Sequence, residues 1–313
     1  MKPEILVVAP NQPAQMAELD ANYILHRCDL APDPEALLTQ VSDRIIAVVT
    51  TGGKGLNADQ IRQLPKLRIA AASGVGSDTI DISACTDRSI VVTNTSDVLT
   101  DDVADMAIML LLGTRRHLVK ADRYVRSGDW GRNGPYPLLS AMRGKRLGIV
   151  GLGRIGQAIA SRAAPMGSEI AYTGRTRKPD VDYRFEPDLK TLASWSDILI
   201  VATSGEADTQ GLISADIVSA LGPQGTLINI ARGSVVDETA MIAALKSGDL
   251  GSAGLDVYWN EPNIDPALWQ LENTVLYPHH ASATFETRGA MAQLVVDNLA
   301  AFFQGQPVLT PVN

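Results

Sequence analysis

Short unbroken aliphatic runs punctuate this chain from its first residues onward, and they narrow the fold class open to it. Ile5-Leu-Val-Val-Ala9, Ile45-Ile-Ala-Val-Val49, Leu67-Arg-Ile-Ala-Ala71 and Ile90-Val-Val-Thr93 form a first series, separated by polar, helix-compatible stretches. Arg146-Leu-Gly-Ile-Val150, Glu169-Ile-Ala-Tyr172, Asp197-Ile-Leu-Ile-Val201, Thr226-Leu-Ile-Asn-Ile230, Ser252-Ala-Gly-Leu-Asp256 and Asn273-Thr-Val-Leu-Tyr277 form a second. A strand this apolar must be covered on both faces, which is the condition of a parallel sheet flanked by crossover helices. The 313 residues are about twice the roughly 150 typical of one domain, so two α/β units are expected.

Between the series, Asp101 to Arg126 reads as helix, apolar nearly all round over Val103, Ala104, Met106, Ala107, Met109, Leu110 and Leu111, hence buried. Glu286 to Phe303 is again helical in pattern, returning the chain to the first unit, and Gly131 to Tyr136 is the most linker-like stretch. The formal charge of −8 argues against non-specific nucleic-acid binding, which needs a basic face. Cys28 and Cys85 offer neither a close pair nor a cluster with histidine, so no disulfide framework and no metal site is expected. The run Ile5 to Ala9 is too brief for a signal-peptide core, and no apolar stretch approaches the roughly 18–20 residues of a membrane span. These readings place the protein in the cytoplasm.

Gly151-Leu-Gly153-Arg154-Ile155-Gly156 follows a strand and opens a helix. In that setting the first glycine makes a tight turn, the second admits a pyrophosphate to the backbone, and the third lets helix and sheet close together. The strand after it ends without the acidic residue that grips an adenosine ribose diol about 20 positions on. It reads Tyr172-Thr-Gly174-Arg175-Thr176-Arg177-Lys178. Two guanidinium groups there suit a 2′-phosphate, so NADPH is preferred over NADH; the alternative is an exposed basic loop.

Three later strands are followed at once by ionisable residues: Arg232 in Asn-Ile-Ala-Arg232-Gly, Glu261 in Asp256-Val-Tyr-Trp-Asn-Glu261-Pro, and His279 in Tyr277-Pro-His279-His280. Ligands of open α/β sheets lie beyond the carboxyl ends of the strands, so the three side chains can converge. Reduction of a keto acid needs a cation for the carboxylate, a proton donor for the developing alkoxide, and a partner that keeps the donor charged. Taken singly, Arg232 could be a turn residue, Glu261-Pro262 a strand end, and His279 a core histidine. His26 and His117 lie outside the constellation and read as structural.

With these segments, and with Ser73-Gly-Val75-Gly76-Ser-Asp and Thr93 to Asp105, the chain resembles the D-isomer-specific 2-hydroxyacid dehydrogenase family over nearly its whole length. Within it the likeness is greatest to NADPH-preferring glyoxylate and hydroxypyruvate reductases. The resemblance implies two Rossmann-like, doubly wound parallel-sheet domains with a cleft between them. Residues 1–99 plus 285–313 would form the substrate domain, residues 100–284 the dinucleotide domain, and two chains a homodimer. It implies that Arg232 binds the substrate carboxylate and carbonyl, that His279 is the general acid/base, and that Glu261 pairs with His279. Asp256 would orient the nicotinamide carboxamide, with Thr100, Thr203 and Ile230 along the cofactor. Backbone N–H groups of Val75 and Gly76, and Ser282, would meet the substrate, and Trp130 and Tyr136 would reach a partner's site. At Thr203 the following Ser204-Gly-Glu lacks the proline common in the family. Other members of the family, 2-ketogluconate reductase or phosphoglycerate dehydrogenase, and a non-catalytic dinucleotide sensor are the competing readings. The phosphoglycerate reading is weaker because the chain leaves no room for a regulatory domain. A sensor need not keep arginine, glutamate and histidine together.

Overall fold

Aliphatic strands with polar, capped helices between them give two parallel sheets. The computed structural model describes residues 2–313. The first sheet holds β1 (Glu4–Val7), β2 (Ile24–Arg27), β3 (Ile45–Thr51), β4 (Ile69–Ser73) and β5 (Val91–Thr93), in the order β2-β1-β3-β4-β5. The second holds β6 (Arg146–Val150), β7 (Glu169–Thr173), β8 (Arg184–Phe185), β9 (Ile198–Val201), β10 (Thr226–Asn229), β11 (Ser252–Leu255) and β12 (Thr274–Leu276), in the order β12-β11-β10-β9-β6-β7-β8. Every strand pairing within them is parallel. Ile198, Leu199, Ile200 and Val201 are all at 0% exposure. Each such side chain contributes about 1.5–3 kcal/mol of burial, so the sheet's centre is its most stable part.

The chain separates into two compact units, residues 1–99 with 282–313, and residues 100–281. The second division between the units falls between Ala281 and Ser282. The helix Phe285–Phe303 packs Val295, Val296 and Leu299 onto Ile5 and Ile69 of the first sheet, and Thr284 caps its start.

Three sequence expectations change. Asp101 to Arg126 is two helices, Thr100–Arg115 and Leu118–Arg126, because His117 turns left-handed at φ 48° and ends the first ladder. The second of them buries no residue, and Met109 on the first is 42% exposed. Strands β2 and β8 have no aliphatic run to reveal them; both are edge strands, and β2 is fixed partly by a 2.7 Å contact of His26 Nε2 with Glu4 on β1. Gly131 lies inside the short helix Asp129–Asn133 rather than in a linker.

In the second sheet the chain leaves β6 toward β7 and β8, then returns to β9 on the other flank. That reversal opens a crevice at the carboxyl ends of β6 and β9, where ligands of doubly wound sheets bind.

Candidate active site

The glycine turn sits at this reversal. Gly151 adopts φ +94°, and a side chain there would press on Ala202 O and on Thr203 N and Cα at 2.9 Å. Thr203 is thus held against the turn. A Cβ on Gly156 would overlap the Gly151 carbonyl oxygen, so the helix Arg154–Ala163 can approach its strand only with glycine at that position. Gly153, by contrast, is exposed and has nothing within 4 Å of its Cβ direction. The open side therefore lies at a helix start, where the first N–H groups have no intrahelical acceptor, the arrangement that receives a pyrophosphate. Arg154 stands exposed at the helix start and Ile155 is half-buried. In the same unit the Thr100 hydroxyl oxygen is enclosed without a hydrogen-bond partner. A cramped turn, an open phosphate side and an unsatisfied hydroxyl fit a dinucleotide.

Beyond β7 the chain turns outward. Gly174, Arg175, Thr176 and Arg177 are all exposed, and the Tyr172 hydroxyl accepts the Lys178 N–H at 2.7 Å, folding the loop back on its strand. The Arg175 side chain is 85% exposed and lies 3.9 Å from Glu206, a residue of the loop after β9.

The ends of β10, β11 and β12 carry the ionisable residues. Asn229 closes β10: its Oδ1 accepts the Ala231 N–H at 3.1 Å and its Nδ2 donates to the Arg232 carbonyl at 2.9 Å. This turn holds Ile230 buried and Arg232 half-buried, with Arg232 Nη1 donating to Ala231 O at 2.7 Å. After β11, Asp256 is 1% exposed, and its carboxylate accepts the His280 N–H at 2.8 Å and the Ala281 N–H at 3.1 Å. Its carbonyl accepts the His279 N–H at 2.8 Å. The chain at His279 takes φ +51°, a conformation costing a non-glycine residue on the order of 1–3 kcal/mol, which these amide bonds sustain. Burial pushes the Asp256 carboxyl up, and the His280 amide opposes it.

His279 Nδ1 and Glu261 Oε2 are 2.5 Å apart, and Glu261 Oε1 accepts the Tyr258 N–H at 2.8 Å. Burial alone would raise the Glu261 carboxyl. The bonds from His279 and the Tyr258 amide, with the charges of His279 and Arg232, outweigh it and hold Glu261 below the ordinary glutamate value. An ionised Glu261 accepts only, so Nδ1 must carry the hydrogen and Nε2 is the nitrogen left to exchange a proton outward. A cavity of about 280 Å³ borders the pair, walled by Tyr258, Ile264, Leu276 and Tyr277. The side chain of His279 is 48% exposed and that of Glu261 31%.

In the other unit, the turn after β4 is fixed by Asn94 Nδ2 donating to Val75 O at 3.1 Å and by Gly74 N–H donating to the Thr95 hydroxyl at 2.8 Å. Among the described residues no protein acceptor meets the N–H of Val75 or Gly76. Ser282, half-buried, begins the returning segment of this unit. Trp130 is exposed, while Tyr136 packs edge-on against Tyr124 with ring centres 5.3 Å apart.

Two residues of the constellation escaped sequence reasoning. Asn229 is a recognisable turn former at a strand end, a signal that was available. Tyr258 was not legible: its hydroxyl lies between carbonyls of both neighbouring strand ends, 2.9 Å from Tyr277 O and 3.2 Å from Leu255 O, with one hydrogen to share between them, and its N–H orients Glu261.

Comparison with known proteins finds a family model and relatives that match the chain. Residues 108–281 match the family described as D-isomer specific 2-hydroxyacid dehydrogenase, NAD binding domain. A 2-ketogluconate reductase of Gluconobacter oxydans is 44% identical over 311 residues, covering 99% of each chain. A glyoxylate/hydroxypyruvate reductase A of Arabidopsis thaliana is 46% identical over 308 residues, covering 98% of each. The solved structure of an NADPH-dependent glyoxylate/hydroxypyruvate reductase from Sinorhizobium meliloti, in complex with NADP and malonate, superposes with a TM-score of 0.92 at 42% identity, covering 100% of this chain and 97% of that one. A glycine turn shaped for a dinucleotide, an arginine and a His–Glu pair at neighbouring strand ends, and relatives matched end to end lead to one conclusion: this chain belongs to the D-isomer-specific 2-hydroxyacid dehydrogenase family and is an oxidoreductase that acts on CH–OH groups with a nicotinamide dinucleotide.

Proposed function

We propose that this enzyme is an NADPH-dependent reductase of small 2-keto acids, with glyoxylate and hydroxypyruvate as its preferred substrates. The observation that carries the reading is the His279–Glu261 pair beside Arg232, in a unit whose β7 loop presents two exposed arginines and no acidic residue at the strand end. Arg232 grips the carboxylate and the keto oxygen as a planar fork. His279 Nε2 gives its proton to the oxygen as it becomes an alkoxide, and Glu261, bonded to Nδ1, fixes the orientation of the ring. The bound nicotinamide supplies the hydride to the keto carbon.

Thr100, Thr203 and Ile230 lie along the dinucleotide. Asp256, with lone pairs remaining after its two amide bonds, takes the carboxamide N–H. Gly151, Gly153, Arg154, Ile155 and Gly156 hold the pyrophosphate, and Arg175, Thr176 and Arg177 hold the 2′-phosphate. The N–H groups of Val75 and Gly76 and the Ser282 hydroxyl are substrate contacts. Residues 100–281 act as the dinucleotide domain and the remainder as the substrate domain.

The enzyme works as a cytoplasmic homodimer. Among the described residues no helix is long and apolar enough to cross a membrane, and both cysteines are free thiols. Leu118, Val119 and Val125 on one short helix, Trp130, and a fully exposed Leu138 are exposed apolar side chains of the kind that a second copy would cover.

The test is a panel of glyoxylate, hydroxypyruvate, pyruvate, 2-ketogluconate and a bulkier aromatic keto acid, each with NADPH. Highest kcat/KM with glyoxylate or hydroxypyruvate supports the assignment. A best rate with 2-ketogluconate moves it to that substrate, and no turnover with any of them returns the chain to a sensing role.

A further inference from the structure

Gly205, in the loop that follows β9, is a glycine whose backbone does not require one. Its φ lies outside the left-handed region, so any L residue tolerates its conformation. Space is what demands glycine. A Cβ at 205 would overlap Arg232 Cγ and come within 3.1 Å of Arg232 Cβ and 3.5 Å of Cδ. The stem of the arginine lies along the face where a side chain would stand.

Neither backbone can give way cheaply. The loop is pinned by Thr209, whose hydroxyl lies 2.8 Å from Ser204 O and 2.7 Å from Glu206 O, and whose N–H donates to Glu206 O at 3.0 Å. On the other side, the Arg232 carbonyl accepts from Asn229 Nδ2 at 2.9 Å and from the Val235 N–H at 3.2 Å. The next residue, Gly233, is packed so closely on the Tyr258–Trp259 peptide that a Cβ there would overlap the Tyr258 carbonyl. The remaining freedom is in the torsions of the Arg232 side chain, and turning them moves the guanidinium at its far end.

We propose that Gly205 is a positioning residue for Arg232: its bare backbone is the track that sets where the guanidinium stands against the substrate carboxylate. This rests on Arg232 being the substrate arginine, as assigned above. A bidentate fork depends on placement, and a shift of about 1 Å in a substrate-positioning group costs up to roughly 10²-fold in rate. On this account the bare glycine between Ser204 and Glu206 seats the arginine.

The experiment compares Gly205→Ala, Arg232→Ala and the double variant in the full-length enzyme, by glyoxylate reduction, by binding of oxamate to the NADPH complex, and by thermal midpoint. The expected result for Gly205→Ala is a 10- to 100-fold loss of kcat/KM for glyoxylate and weaker oxamate binding, with KM for NADPH unchanged. In the Arg232→Ala background, where Cγ is gone, the alanine at 205 adds no further loss, and any fall in thermal midpoint it causes alone is relieved. Should Gly205→Ala alone fail to fold, a folded double variant with the properties of Arg232→Ala carries the same conclusion. Wild-type kcat/KM in Gly205→Ala overturns the proposal. An equal loss with and without Arg232, or a double variant that also fails to fold, overturns it as well. Full activity in Arg232→Ala would instead defeat the assignment of Arg232 itself.

Discussion

In the function proposed above, the loops that follow β7 and β12 serve one reaction, and they are built to opposite standards. After β12, His279 is held at several points: its N–H is taken by Asp256 O, its Nδ1 by Glu261, and the two amides that follow it by the buried Asp256 carboxylate. After β7, Arg175 is 85% exposed and has one distant ion pair, to Glu206 at 3.9 Å. The difference follows from what each loop must do. A proton donor has to be aimed before substrate arrives, because reorganisation during the reaction costs rate. A phosphate reader needs only charge within reach of an anion that brings its own hydrogen-bond acceptors. The protein spends its buried polar groups on the first and leaves the second to the ligand.

Substitutions can break that contrast, and their effects should rank with the degree of construction. Arg232→Lys is expected to have the largest effect. An ammonium is a point charge and cannot span carboxylate and carbonyl together, so kcat/KM for glyoxylate falls by about 10²–10³, the range seen when an oxyanion donor is removed. Steady-state kinetics with the variant at wild-type level would reject the role of Arg232.

Glu261→Gln comes next, with a loss in kcat of about 10²-fold, the lower end of what positioned acid–base groups supply. It also has a signature in stability. The Glu261 carboxyl is held below its ordinary value in the folded state, so its contribution is fully present above the unfolded value of about 4.3 and fades as pH falls through the lower folded one. Urea midpoints of wild type and Glu261→Gln should therefore differ more at neutral pH than near the acid limit. A gap that widens on acidification would contradict the pairing.

The exposed loop should give smaller, cofactor-specific effects. Arg175→Ala with Arg177→Ala is expected to raise KM for NADPH about tenfold or more and to leave KM for NADH nearly unchanged, since a tenfold change needs only about 1.4 kcal/mol. Equal loss with both cofactors would show that the arginines support the loop instead of reading the phosphate. The smallest effect belongs to Glu206→Gln. Unit charges about 4 Å apart interact by roughly 1 kcal/mol in water, less with salt. Removing this carboxylate frees Arg175 and should tighten NADPH binding about two- to fivefold without affecting NADH; weaker NADPH binding would reverse the assigned sense of the pair.

How far the sequence could be read follows the same division. The central strands were legible because burial on both faces demands unbroken aliphatic residues, and the glycine turn because close packing and an open phosphate side each need glycine at fixed spacing. Arg232, Glu261 and His279 stood out because each follows such a strand. What could not be read depended on contacts distant in sequence or on backbone geometry. The edge strands β2 and β8 are covered on fewer sides and carry polar residues. The break at His117 needs a left-handed turn that histidine does not announce. Tyr258 looks like an ordinary core aromatic until its hydroxyl is found between two strand ends. Gly205 was noticed only as part of a loop lacking proline, because the arginine stem that requires it is supplied from another strand end.

The most direct test of the account is the ratio of kcat/KM for NADPH to that for NADH in the wild-type enzyme, measured at saturating glyoxylate and low salt. The loop after β7 has guanidinium groups and no carboxylate at its strand end, so the predicted ratio is about ten or more in favour of NADPH. That ratio should shrink as salt screens the exposed arginines. A wild-type enzyme that turns over glyoxylate faster with NADH, or whose preference is indifferent to salt, would contradict it.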